Sequence, residues 1–303
     1  CRTCVGVYQA SIRVLKTGVV DVAEVYGGYV AGELPMVEIL EMPGIFPDPE
    51  TAKKAILAWK PIEAKILDQK ANAVLLAMAM YPDNWFFSKR PLRTLEDFKG
   101  LKVRVHSVAT ASLVAGLGGV PLTIPFAEVY TSLERGTLDA GLTSAKPGFG
   151  LRWYEVSKYL VGPLLMRPHV ALSMNKAAWQ RLPPDIQKIF KEEAERVVEA
   201  RAFTAIEEWN QEGMTKSIEK GMEHLPFSPE IRATIKAVAD AVKARLPEGA
   251  MQVGVSVLSR VQEAYDVKSR KGTGSDGIAW KDLQPATLEA RVRRRAPARR
   301  IVE

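Results

Sequence analysis

The stretch Leu101-Lys102-Val103-Arg104-Val105 alternates charged with apolar side chains. In an extended chain that spacing puts Lys102 and Arg104 on one face and Val103 and Val105 on the other. Arg104 lies near the C-terminal end of this strand, the end at which open α/β sheets place their ligands. Arginine suits a carboxylate because its planar fork donates two parallel hydrogen bonds and keeps its charge. On this pattern alone a surface arginine in an ion pair is the competing reading.

Other patterns that suggest chemistry carry less. Gly116-Leu117-Gly118-Gly119 looks like a phosphate-cradling loop, but that loop leads from a strand into a helix N-terminus, and here the glycines leave a helix and enter a strand. A helix C-cap and turn fits better. No Gly-x-Ser-x-Gly elbow, His-Glu-x-x-His pair or carboxylate-rich cation loop occurs, so hydrolytic and metal chemistry lack their usual support. Glu192-Glu193 and Glu207-Glu208 fall in a helical stretch and read as a solvated face. Cys1 and Cys4 have the spacing of a redox pair or half a zinc site, yet His106, His169 and His224 are scattered, and an incidental terminal pair is the simpler reading. No cofactor or metal is expected.

The length of 303 residues suggests two domains. Apolar runs such as Ala71 to Met80 are shorter than the roughly 20 residues a membrane span needs. The opening CRTCVGVYQA has none of the features of a signal peptide, so export is not readable from it. The net charge of +7 is concentrated: residues 268–303 hold ten Lys or Arg against four Asp or Glu, and residues 1–267 hold 32 against 31. A nearly neutral body has no footprint for nucleic acid. The tail, ending in ARVRRRAPARR, has the like-charge run of a disordered segment.

Strand and helix patterns alternate, which predicts an α/β architecture with mostly parallel sheets. Strands are expected at Val19 to Val25, Ala73 to Met80, Leu101 to His106, Leu122 to Ile124, Ala140 to Thr143 and Val170 to Met174. Helices are expected at Thr51 to Gln69, Ala109 to Leu117, Phe126 to Arg135 and Pro229 to Arg245. From Pro184 to about Lys220 Gly213 is the lone breaker after the opening prolines, and a helix this long can bridge two lobes.

Several blocks in order resemble the solute receptors of tripartite ATP-independent periplasmic (TRAP) transporters, the DctP family. They are Leu95 through Val105, Gly118-Gly119-Val120-Pro121, Phe126 through Tyr130, Leu133 through Ala140, Leu34-Pro35 with Glu41-Met42-Pro43, and Trp153-Tyr154-Glu155-Val156. The resemblance spans roughly residues 11–247 and implies a two-lobed periplasmic-binding-protein-like fold that closes over its ligand by a hinge motion. Lobe I is expected from residues 1–83 plus about 169–210, lobe II from 84–168 plus about 211–267, and a basic tail from 268–303. The family opens with a strand, a helix and a strand that are missing or unrecognisable here, so a truncated first lobe is part of the expectation.

The resemblance implies that Arg104 is the principal carboxylate anchor. Thr143 stands where the family often has asparagine, and its hydroxyl still offers one hydrogen bond. Asn84 stands where some sialic-acid receptors carry another arginine, which argues against that ligand. Ser107 and Phe126 match pocket-lining positions. Trp85, Trp153 and Arg167 are further candidates from local chemistry, with core packing the alternative for the two tryptophans. The implied protein is not an enzyme but a periplasmic receptor that delivers a small organic acid to the membrane subunits of a TRAP transporter. An α/β enzyme acting on a carboxylate, or a sensor or degenerate fragment of the same fold, are the alternatives. The ligand's identity is not written in the motifs.

Overall fold

The alternation of strands and helices resolves into two sheets. A computed structural model of the chain describes residues 11–243 apart from 35, 36, 38, 39 and 47. The cysteine pair and the basic tail lie outside the described residues. In order the elements are α1 (Ser11–Lys16), β1 (Val22–Tyr26), α2 (Gly27–Val30), α3 (Pro49–Ala71), β2 (Ala73–Met80), β3 (Asn84–Ser88), β4 (Lys102–Val105), α4 (Val108–Gly116), β5 (Val120–Thr123) and α5 (Val129–Glu134). They continue with β6 (Ala140–Ser144), α6 (Ala145–Gly150), β7 (Tyr159–Leu164), β8 (His169–Asn175), α7 (Lys176–Gln180), α8 (Pro184–Glu193), α9 (Arg201–Glu219), β9 (Glu223–Leu225) and α10 (Pro229–Lys243).

The first lobe is built on the sheet β1-β8-β2 and the second on β5-β4-β6-β3-β7-β9. The expectation of mostly parallel sheets is corrected. In the first sheet β8 runs antiparallel to both neighbours, and in the second β3 runs antiparallel to β6 and β7, leaving β4–β5, β4–β6 and β7–β9 parallel. The cause is the crossover. β2 passes into β3 through residues 81–83, and β7 returns into β8 through residues 165–168. Links this short carry each strand almost straight on into the other sheet, so the outgoing and returning segments pair in opposite directions in both lobes. The backbone N–H of Tyr81 donates to the Pro168 carbonyl at 2.7 Å where the two segments pass.

Sequence-level cues explain the helices that frame this core. α3 starts at Asp48, whose carboxylate accepts the Thr51 N–H at 2.7 Å, has Pro49 in its first turn, and ends at Asn72 in the left-handed region. Its buried residues Ala55, Ile56, Trp59 and Leu67 pack with Val25, Leu75, Met78 and Ala171 on one face of the first sheet. α8 and α9 are one continuous helix interrupted by a π-helical stretch at Ala194–Ala200. Phe203 and Ile206 join the core of the first lobe, whereas Met214 packs with Trp85 and Trp153 in the second. The long helix therefore spans both lobes, as its length predicts. β3 and β7 escape the sequence pattern because β3 is buried along its whole length and β7 contains Gly162-Pro163.

Candidate functional site

Arg104 sits on β4, flanked by the parallel strands β5 and β6. Val103 and Val105 turn into the core formed with Leu113, Leu142 and Ile235, while Arg104 occupies the opposite face. Its side chain is 1% exposed. Nη1 donates to the Leu142 carbonyl at 3.0 Å, Nε to the Ile124 carbonyl at 3.3 Å, and Nη2 to the Tyr29 hydroxyl at 3.2 Å. Phe126 lies under the guanidinium with its ring centre 5.3 Å from Cζ. The Ile124 carbonyl lies just past the C-terminal end of β5 and the Leu142 carbonyl in the middle of β6, so the parallel part of the sheet holds the arginine near the edge where a ligand site is expected. Among the described residues no carboxylate lies within ion-pairing distance of Arg104.

Arg104 forms part of the wall of a cleft of about 140 Å³ between the two sheets. Asn84, His106, Phe126, Thr143 and Ser144 line it from the second lobe, and Glu24, Tyr26, Tyr29 and Tyr81 from the first. Tyr26 packs against Tyr29 at 4.7 Å and Tyr81 at 5.9 Å between ring centres, which makes an aromatic wall. The Tyr81 hydroxyl donates to Glu24 at 2.9 Å. Burial raises the Glu24 carboxyl above its ordinary value, and the Tyr81 hydrogen bond opposes that rise. His106 is held neutral, because burial and then the charge of Arg104 push its pKa well below the usual imidazole range. Its Nε2 and the amide nitrogen of Asn84 are buried with no hydrogen-bond partner. A cleft with one fixed positive charge, aromatic walls and unmatched polar atoms is arranged to take a small polar molecule with an anionic end.

Of the residues singled out from sequence, the structure brings together Arg104, Asn84, Phe126 and Thr143 on this wall. Ser107 stands beside it as the N-cap of α4, exchanging side-chain and backbone hydrogen bonds with Thr110. Trp153 lies one layer behind, 5.3 Å from Phe126, and packs in the core. Trp85 is buried in the same core and donates its indole N–H to Asn210 of α9 at 3.1 Å. Glu24, Tyr26, Tyr29, Tyr81, His106, Ser144 and Pro147 are the cleft residues that sequence reasoning missed. A lone charged residue followed two positions later by a tyrosine, on one face of an otherwise apolar strand, was the available signal for Glu24 and Tyr26.

Arg167 is placed at the crossover, not on the cleft wall. It pairs with Asp83 at 2.8 Å, and Glu207 of the long helix approaches to 4.0 Å. The Met166 N–H also donates to Asp83. Burial raises the Asp83 carboxyl to about 6, against the lowering effect of Arg167 and with a further rise from Glu207. A carboxyl whose folded pKa lies above its unfolded value of 3.8 favours the folded state most at low pH, and that contribution fades as pH rises toward 6. Arg167→Met removes the lowering charge, so the window is expected to move upward. Urea melts should show the variant losing more stability relative to the parent at pH 8 than at pH 5, by about 1.4 kcal/mol for each unit the carboxyl rises. An equal loss at both values would refute it.

Two lobes joined by paired crossing segments and one long helix, with an arginine-walled cleft between them, define a two-lobed α/β fold of the periplasmic-binding-protein type. The chain belongs to the family described as bacterial extracellular solute-binding protein, family 7, which it matches over residues 5–248. It is 29% identical over 188 residues to the 2,3-diketo-L-gulonate-binding periplasmic protein YiaO of Escherichia coli, covering 59% of this chain and 56% of that one. The chain thus spans little more than half the length of that curated relative. Among solved structures it is similar to DctP7, a Bordetella pertussis extracytoplasmic solute receptor binding pyroglutamic acid, with a TM-score of 0.79, 26% identity and 84% of each chain covered. A TRAP periplasmic solute-binding protein from Sulfitobacter with bound β-D-galacturonate shares the fold, at a TM-score of 0.72 and 22% identity over 82% of this chain and 83% of that one. Among the described residues no helix is long and apolar enough to cross a membrane, and no cluster suited to a metal ion occurs.

Proposed function

We propose that this chain is the extracytoplasmic receptor of a TRAP-type transporter, closing on a small organic acid whose carboxylate pairs with Arg104. The observation that carries the reading is a buried arginine, 1% exposed, with no counter-ion among the described residues. A buried charge without a partner is costly, and the two carbonyls and the Tyr29 hydroxyl take three of its five N–H donors but leave its charge uncompensated. A carboxylate entering the cleft supplies the missing charge. Delivery to membrane subunits and a periplasmic location come with the family and belong to the same proposal.

The relatives named above bind acids that carry one carboxylate, so a panel built on them is the direct test. Pyroglutamate, galacturonate and 2,3-diketo-L-gulonate should be screened by thermal shift alongside the amide of each. At about 100 times its dissociation constant a cognate acid stabilises the fold by about 2.7 kcal/mol. Its uncharged amide should give no shift. A chain stabilised by none of the acids, or equally by acid and amide, would overturn the reading.

A further inference from the structure

We propose that the acid taken by this cleft carries a hydrogen-bond donor, an N–H or O–H, at the end remote from its carboxylate, and that Glu24 selects for it. The inference rests on the reading of Arg104 as the carboxylate anchor. Glu24 and Arg104 come from different sheets, β1 and β4, and line one cleft. The molecule between them therefore meets a cation on one lobe and a carboxylate on the other.

Glu24 is held in place rather than consumed by protein contacts. β1 pairs with β8 in a register that sets Glu24 opposite Leu172, on the same face as Tyr26. One carboxylate oxygen accepts the Tyr81 hydroxyl, and no Lys or Arg among the described residues pairs with the group. Glu24 is half-buried, and burial raises its carboxyl above the ordinary value. An acceptor with this much of its hydration removed needs a donor to replace the water it has lost.

Charge and size narrow the class further. A dicarboxylate would set its second anionic group against Glu24 in a cleft of reduced dielectric, which is unfavourable. The volume of about 140 Å³ is close to that of an engineered cavity of about 150 Å³ that admits benzene. One ring or a short chain fits, and a disaccharide does not. The class is thus a compact monocarboxylate bearing a lactam, amine or hydroxyl donor.

The test uses matched probes and titration calorimetry on the full chain. 2-Oxopiperidine-4-carboxylate is compared with 2-oxotetrahydropyran-4-carboxylate, which replaces only the ring N–H, across the ring from the carboxylate, by oxygen, and 5-hydroxypentanoate with 5-methoxypentanoate. Glutarate supplies the dicarboxylate. In at least one pair the donor-bearing acid should bind the parent at least tenfold more tightly than its partner. Glu24→Leu should reduce that ratio below threefold, and Glu24→Gln should improve glutarate binding at least tenfold. If both pairs bind without discrimination, if glutarate binds the parent as tightly as the donor-bearing acids, or if discrimination survives Glu24→Leu, the inference falls. Should such donor-blind binding still be lost in Arg104→Ala, only the role of Glu24 is overturned. If no probe binds or Arg104→Ala has no effect, the receptor reading falls with it. The comparison of probes on the parent protein stands whether or not the Glu24 variants fold.

Discussion

Arg104→Ala is expected to weaken binding of the cognate acid on the order of a hundredfold. Two charge-assisted hydrogen bonds at about 1.5 kcal/mol each amount to about 3 kcal/mol, and every 1.4 kcal/mol is tenfold in affinity. Without ligand the same substitution has opposing effects. It removes a buried charge that lacks a counter-ion, but it also strips the Leu142 and Ile124 carbonyls of a donor and the Phe126 ring of its cation. The melting temperature of the ligand-free variant should therefore change less than that of the acid-saturated one. Arg104→Lys separates charge from shape, because an ammonium keeps the positive charge but cannot present the planar fork. It should fall between the parent and the alanine variant. Titration of all three with the acid giving the largest thermal shift decides the point, and alanine binding within threefold of the parent would remove the anchor from Arg104.

The anchor and several neighbours on the second-lobe half of the cleft were legible in the sequence, and the first-lobe half was not. Arg104 stood out because alternation fixed its face and strand position fixed its end, two properties carried by consecutive residues. Phe126, Thr143 and Asn84 came with the family's ordered motifs. Glu24, Tyr26, Tyr29 and Tyr81 come together only through pairing of β1 with β8 and β8 with β2, contacts between segments about 90 to 150 positions apart. Arg167 shows the same limit. An arginine near the expected cleft is a natural candidate, but its partner Asp83 lies 84 positions earlier, and only the crossover reveals that the pair bridges the two strands. The crossover also defeated the expectation of parallel sheets, since the direction of β3 and β8 is set by how the chain passes between lobes. Trp85 and Trp153 are large, semi-polar and close to the motif, which made the cleft plausible for them. The core behind Phe126 needed the same bulk.

Gly213 illustrates a position where local propensity and tertiary packing predict opposite signs. In an exposed helix interior, replacing glycine with alanine stabilises by about 1 kcal/mol. Gly213 is instead buried on α9 where that helix meets the start of α6. A Cβ there would fall 2.5 Å from the Ala145 carbonyl carbon and from Lys146 Cα, and also against the Lys146 backbone nitrogen. These are backbone atoms at a helix start, which cannot rotate away as a side chain can. Lys146 is further tied to Glu212 on the same helix. Overpacking of this kind costs about 1–3 kcal/mol and occasionally more, which outweighs the propensity gain. Gly213→Ala should therefore melt several degrees below the parent, since each kcal/mol corresponds to about 2–4 °C in a domain of this scale. The displaced segment begins one residue after Thr143 and Ser144, both on the cleft wall, so affinity for the acid should fall together with stability. A variant that melts at or above the parent temperature would show that α9 and α6 do not touch at this point, and that the long helix does not brace the segment following the cleft residues Thr143 and Ser144.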